Sequence, residues 1–218
     1  WSEYTGVKNF KLHLTMKGKA TISVYAIYSA SVAVTYNPLV SQVVESDEVS
    51  EVVVNIPETD KALVGFYMDT LEDTEIYSGY YSADIEEDRI RDVNISLVTT
   101  TFKKQEYNKR NIDLIKSNVL YDGSDLKGHM FVHVIDNDRE LDPSELDSED
   151  LKVYMNNNVG GAGGFTRGMI EALELPKKPT HVLLMDDDVM VMPESLFRTY
   201  YLLRLHKNEY KKCFLSGA

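Results

Sequence analysis

A chain of 218 residues with 43% hydrophobic and 10% aromatic side chains can bury two sizeable cores, which excludes a disordered polymer. Its formal charge of −12 excludes a general nucleic-acid binder, which needs a basic footprint, so any anionic ligand needs a local device such as a metal ion or a helix N-terminus. The single cysteine, Cys213, excludes an intrachain disulfide, reads as a small buried apolar residue and favours a reducing compartment; no apolar run reaches the roughly 18 residues of a membrane-spanning helix.

Residues 1–90 read as short strands separated by turns. "FKLHLTM", "ATISVYAIY" and "ASVAVTY" alternate apolar and polar, and "EVVVNI", "ALVGFYMDT" and "EIYSGYYSA" follow. Gly18, Pro38, Pro57 and Gly79 lie between or beside these runs. Six or more such runs with few helix-like windows predict an all-β sandwich or jelly roll. Tyrosines gather here, among them Tyr25, Tyr36, Tyr67 and Tyr80. They suit half-buried strand positions and also the stacking of carbohydrate rings.

The charged stretch "SADIEEDRIRD" reads as a linker, placing a domain boundary near residue 90 and a second domain over 91–218. "VNISLVTTTF" is a nearly continuous apolar strand of the kind buried in a parallel sheet. "KKQEYNKRNIDLIKSNVL" is helical, with Ile112, Ile115 and Val119 on one face. Then come the strand "HMFVHVIDN", the acidic surface loop "DNDRELDPSELDSED" and the strand "KVYMNNN". A helix follows from about Phe165 to Leu175, with Phe165, Met169 and Leu173 on its apolar face. The strand "THVLLMDDD", the helix "PESLFRTYYLLRLH" and a strand-like "KKCFLSGA" complete the chain. This is the layout of a Rossmann-like α/β domain, in which ligands bind at the carboxyl ends of the strands.

The residues closing those strands are short and polar: Thr99, Thr100 and Thr101, then Asp136 and Asn137, then Asn156, Asn157 and Asn158, then three aspartates. Between the third and fourth strands, Gly160, Gly161, Gly163 and Gly164 form a loop that lets backbone approach a ligand and offers amides to anionic oxygens. It follows neither the GxGxxG nor the Walker pattern, which argues against a dinucleotide-binding oxidoreductase. At an extended strand end Asp186 and Asp188 project to one side and Asp187 faces away. Two such carboxylates suit a hard divalent cation, Mn2+ or Mg2+. The alternative is an acidic turn capping the next helix. Neither this run nor the loop from Asp136, which has Leu141 where an EF-hand needs glycine, is an EF-hand. His13, His129, His133, His181 and His206 show no metal-ligand spacing and read as structural or surface residues.

"NVGGAGGFTRGM" followed by "THVLLMDDDV", with the opening "WSEYTG" and a β-rich first ninety residues, resembles the bacterial GT-A galactofuranosyltransferases. The resemblance implies a jelly-roll-like domain joined to a GT-A domain that is inverting and metal-dependent. The donor would be UDP-galactofuranose, the cofactor Mn2+ or Mg2+, and the acceptor a cell-surface polysaccharide or glycolipid. By position, Thr101, Phe102 and Lys104 would hold the uridine; the family commonly has arginine where Lys104 stands. Asp136 would take the uracil or ribose region, and Asn158 the nucleotide beside Gly160 and Gly161. Asp186 would contact nucleotide and metal, Asp187 would belong to the donor site, and Asp188 would be the principal metal ligand.

In that family an aspartate base and a histidine ligand follow the aspartates. The start at Trp1 and the stop at Ala218 suggest a fragment truncated within its GT-A domain, with no catalytic residue of its own. A cytoplasmic protein is the expectation; association with the inner face of the plasma membrane and self-association stay open. So do a rhamnosyl donor on another nucleotide, and a carbohydrate-binding or assembly module whose α/β half is a scaffold.

Overall fold

The computed structural model describes residues 2–30, 33–59, 63–210 and 212–217. Trp1, Ser31, Val32, Ala62, Lys211 and Ala218, which belong to segments named above, lie outside them. The chain divides into two compact units, Trp1–Ile90 with Leu205–Ala218, and Arg91–Arg204.

The first unit is an antiparallel sheet. β1 (Lys8–Ala30) and β2 (Ala33–Asn55) are each 23 residues long and pair along most of their length. The other edge of β1 carries β3 (Leu63–Thr70) against Ala20–Ile27 and β4 (Glu75–Asp84) against Lys8–Lys17. The sequence predicts at least six strands in a sandwich; the described residues form four strands in one sheet. The turn signals explain the difference. Gly18, at φ +106, sits at a register shift inside β1, and a Cβ there would lie 2.4 Å from the Asp73 carbonyl. It bends the strand without ending it. Pro38 lies at a second shift, on β2, an edge strand where its missing N–H breaks no ladder. Leu12, Leu14 and Met16 before the bend join Ala20, Ile22 and Val24 after it in one buried cluster.

The C-terminal segment groups with this unit, where the sequence predicts a continuation of the α/β domain. Gly6 N–H donates to the Leu205 carbonyl (3.0 Å), Lys207 N–H donates to Tyr4 (2.9 Å), and Thr5 bridges His206. Residues 212–217 form no strand, and Cys213 is exposed there, not buried.

The second unit follows the predicted order: β5 (Ile95–Thr101), α1 (Gln105–Asn118), β6 (Met130–Asp136), the short α2 (Pro143–Leu146), β7 (Leu151–Met155), α3 (Gly160–Glu174), β8 (His181–Asp186) and α4 (Pro193–Leu205, whose last residue groups with the first unit). All strand pairs are parallel, in the order β7-β6-β5-β8. One face of the sheet, with Leu97 and Val132, shares a core with Ile112 and Ile115 of α1 and with Leu196 and Tyr200 of α4. The other face packs on α3. There the buried residues are Gly164, Gly168 and Ala172, not the predicted Phe165, Met169 and Leu173. A stripe of small residues one turn apart brings the helix backbone close to β5; a Cβ on Gly168 would lie 2.2 Å from Val98 Cγ1.

Candidate functional site

The order β7-β6-β5-β8 contains a reversal. From β5 the chain steps outward to β6 and β7, then crosses back to place β8 on the far side of β5. α1 and α4, which follow β5 and β8, share one face of the sheet and α3 covers the other, so the carboxyl ends of these two strands open beside the N-terminus of α3. A cleft of about 370 Å³ lies there, lined by Thr101 at the end of β5 with Phe102 and Lys104 beyond it, by Asn158 before α3 with Gly160 and Gly161 in its first turn, and by Asp186 and Asp187. Eight of the residues expected in the donor site thus come together. Thr100, Asn137 and Phe165 complete the lining.

The register sets the first group. Thr100 pairs with Asp186 of β8 and Thr101 with Asp136 of β6. Thr101 is buried, and its hydroxyl oxygen has no protein partner. Phe102 is 43% exposed beside it. Lys103 adopts φ 58, and its N–H donates to Asp138 Oδ2 (2.8 Å), which turns the chain from β5 into α1 and sets Lys104 at the helix N-cap.

Asp136 does not fill its expected role. Its carboxylate is fully buried and accepts backbone N–H groups from Asp138 (3.2 Å), Arg139 (3.1 Å) and Leu141 (2.8 Å). Burial first, and then the neighbouring Asp138 side chain, raise its pKa above the ordinary carboxylate value, against the lowering effect of the Leu141 and Asp138 N–H groups. The carboxylate thus organises its own loop and is absent from the cleft lining. Asn137 lines the cleft instead, donating to Thr100 Oγ1 (3.1 Å) and accepting from Asn156 Nδ2 (2.9 Å). Strand pleat gives the signal that was available: if Asp136 points inward, its neighbour points out.

The glycines are helical, not a separate loop. α3 begins at Gly160, whose φ is +75 and whose N–H donates to Asn158 Oδ1 (3.1 Å). Asn158 takes the first of its amides, Val159 adds no side-chain cap and no acidic residue occupies the first turn, so the remaining N-terminal amides leave positive potential at this end of the helix, where Gly160 and Gly161 line the cleft. Gly160 and Gly161 have open space where a Cβ would stand, whereas a Cβ on Gly164 would lie 2.0 Å from Thr100 Oγ1. The first two leave room for a ligand and the later ones bring the helix onto the sheet.

The aspartates depart from the pleat expectation. β8 ends at Asp186 and the chain turns through Asp187 and Asp188, so alternation does not extend past the first of them. Asp186 and Asp187 line the cleft, and Asp187 is the more enclosed of the turn pair. Lys104 Nζ contacts Asp188 Oδ2 and lies 3.9 Å from Asp187 Oδ1. The hydrogen bond between Lys104 and Asp188 raises the lysine pKa and lowers that of the aspartate. Among the described residues no three His, Cys, Asp or Glu side chains converge as a preformed metal cage.

Away from the cleft, His133 is fully buried beside Phe131 and Tyr154, and burial lowers its pKa to about 4. It is a neutral core residue. Among the described residues no helix is long and apolar enough to cross a membrane.

No family model matches the chain. Among solved structures, the N-terminal CBM22-1–GH10 modules of Clostridium thermocellum endo-1,4-beta-D-xylanase 10B, complexed with xylohexaose, share 13% identity at a TM-score of 0.28, over 64% of this chain and 27% of that one. Over 58 residues, 27% of its length, the chain is 36% identical to galactofuranosyltransferase GlfT2 of Mycolicibacterium smegmatis. The match spans 9% of that protein, so it is a local similarity to a glycosyltransferase.

Proposed function

We propose that the α/β unit is the donor-binding part of a GT-A, metal-dependent, inverting glycosyltransferase, and that its donor is UDP-galactofuranose. The acceptor class is a cell-surface polysaccharide or glycolipid. One observation carries the reading: a cleft at the carboxyl edge of a parallel sheet, where the strand order reverses, combines a glycine-led helix N-terminus with strand-end aspartates. The local similarity to a galactofuranosyltransferase supports the choice of sugar.

The residues fit a divalent cation. The Lys104 ammonium pairs with Asp188, one of the two proposed ligands, and lies 3.9 Å from Asp187, which supports a site for positive charge at this turn. Mg2+-type ions commonly take one or two carboxylates and complete their shell with phosphate oxygens and water. Asp186 and Asp188 are the ligands we assign. When bound, the ion supplies Lewis-acid stabilisation of the departing diphosphate. The chain's own residues do the rest of the binding. The amides of α3 face anionic oxygens, Phe102 offers an exposed ring to the base, and the unpartnered Thr101 hydroxyl supplies a hydrogen bond. We assign no general base to this chain.

Amide NMR shifts on titration with UDP, GDP and dTDP in the presence of Mg2+ test this reading. UDP should shift Phe102, Asn158 and Gly161 at the lowest concentration. Preference for dTDP would favour a rhamnosyl-type donor, and no shift with any nucleotide would contradict the reading.

A second reading is glycan binding by the β unit. It is favoured by Tyr25, Tyr36 and Tyr67, whose ring centroids lie 5.5–6.5 Å apart, with Tyr36 and Tyr67 about half exposed. Glycan-array binding lost on Tyr67→Ala, without nucleotide affinity, would support it.

A further inference from the structure

Lys104 and the aspartate turn belong to segments far apart in sequence, yet the fold brings an ammonium against two adjacent carboxylates. The side chains of Lys104 and Asp188 are 41% and 52% exposed, so neither is locked by packing. Lys104 and Asp187 also line the same cleft. Two neighbouring carboxylates repel, and a compact, hydrated point charge between them relieves that repulsion as a divalent ion would. A cation taken up by Asp186 and Asp188 meets this like charge on Asp188.

We propose that Lys104 is a resident counter-ion of the donor site: it neutralises Asp187 and Asp188 when no divalent cation is present, and it must withdraw from Asp188 for the cation to bind. The inference rests on the donor-site reading above and adds a regulatory element to it. The unliganded chain keeps its acidic turn in order without metal, and metal affinity is held down until something draws the ammonium away. A bound diphosphate offers the lysine another anionic partner, so nucleotide and cation favour each other's binding. The flexible lysine stem allows this exchange; a planar guanidinium in its place holds a carboxylate by two bonds and releases it less readily.

The test is Mn2+ binding to the full chain without nucleotide, read from the loss of the free-ion electron paramagnetic resonance signal. Lys104→Met and Lys104→Gln remove the charge at an exposed position. Both should bind Mn2+ about tenfold more tightly than the wild type, the effect expected for deleting a like charge at about 4 Å in a partly solvated site. The gain should shrink at high salt. Equal or weaker binding by both variants, with a wild type that binds Mn2+, would overturn the counter-ion role and leave the donor site standing. Wild-type Mn2+ binding unaffected by Asp188→Ala would also overturn it, since the ion would then sit elsewhere. Failure of all the proteins to bind Mn2+, even with saturating UDP, would remove the donor-site reading and this inference together.

Discussion

Gly168→Ala isolates the packing that positions α3. A Cβ built there lies 2.2 Å from Val98 Cγ1, 3.2 Å from Val98 Cγ2 and 3.3 Å from Ile135 Cγ1. Carbon atoms rest at roughly 3.5–4.0 Å, so the helix or the strand must move by more than about 1 Å. Val98 is fully buried on the central strand β5 and stiff at χ1, so the helix yields. Overpacking costs about 1–3 kcal/mol, and a displacement this large on a buried, stiff side chain belongs at about 2–3 kcal/mol, of which the better helix propensity of alanine offsets about 1 kcal/mol. The net loss is on the order of 1–2 kcal/mol. With a urea dependence of about 1–3 kcal/mol per molar, the unfolding midpoint by far-UV circular dichroism should fall by about 0.3–2 M. The helix carries Gly160 and Gly161 with it, so UDP affinity should fall as well. Gly161→Ala is the contrast, with nothing within 4 Å of its Cβ and no left-handed φ. It should raise stability by up to about 1 kcal/mol and still weaken UDP binding by filling the cleft. A Gly168→Ala midpoint equal to or above the wild type would refute the close-approach argument, because propensity alone would then decide the outcome.

Thr101→Val removes a buried hydroxyl that has no protein partner, so stability should hold or rise by about 1 kcal/mol while UDP affinity falls; unchanged affinity in calorimetry would remove Thr101 from the site. Asp136→Ala strands three backbone N–H groups and should cost about 3 kcal/mol in urea unfolding; a near-neutral effect would contradict its loop-organising role. Burial holds the His133 imidazole at about 4, below its ordinary 6.5, so between those values the unfolded chain binds the extra proton and stability falls as pH falls. At pH 5 this amounts to about 2 kcal/mol relative to pH 7. His133→Phe should flatten that part of the profile, and identical slopes for the two proteins would contradict the assignment.

Much of the α/β unit is legible in the sequence because its strands are continuous apolar runs ending in polar residues. Ile95–Val98 is buried throughout, and Thr101, Asn158, Gly160 and Asp186 meet where such a fold binds ligands. The failures have local causes. Gly18 and Pro38 carry turn chemistry but serve bulges, because bonding across a long antiparallel pair outweighs the local signal. Period-3.6 counting assigns α3 an apolar face of Phe165, Met169 and Leu173, yet the sheet packs on Gly164, Gly168 and Ala172, whose small side chains let the helix backbone approach Thr100 and Val98. The pleat argument for Asp186 and Asp188 assumes a strand that continues, and β8 stops at Asp186. Asp136 turns inward because three N–H groups of the following loop need an acceptor. The contact of Lys104 with Asp188 is a long-range fact that no local pattern encodes.

The central claim is that the cleft between β5 and β8 binds a uridine nucleotide together with a divalent cation. Isothermal titration calorimetry with UDP and Mn2+, on the wild type and on Asp188→Ala, tests it most directly. The account predicts saturable one-site binding by the wild type, abolished by EDTA and weakened at least tenfold by Asp188→Ala. Metal-dependent binding that survives Asp188→Ala unchanged, or no UDP binding at any Mn2+ concentration, would contradict it.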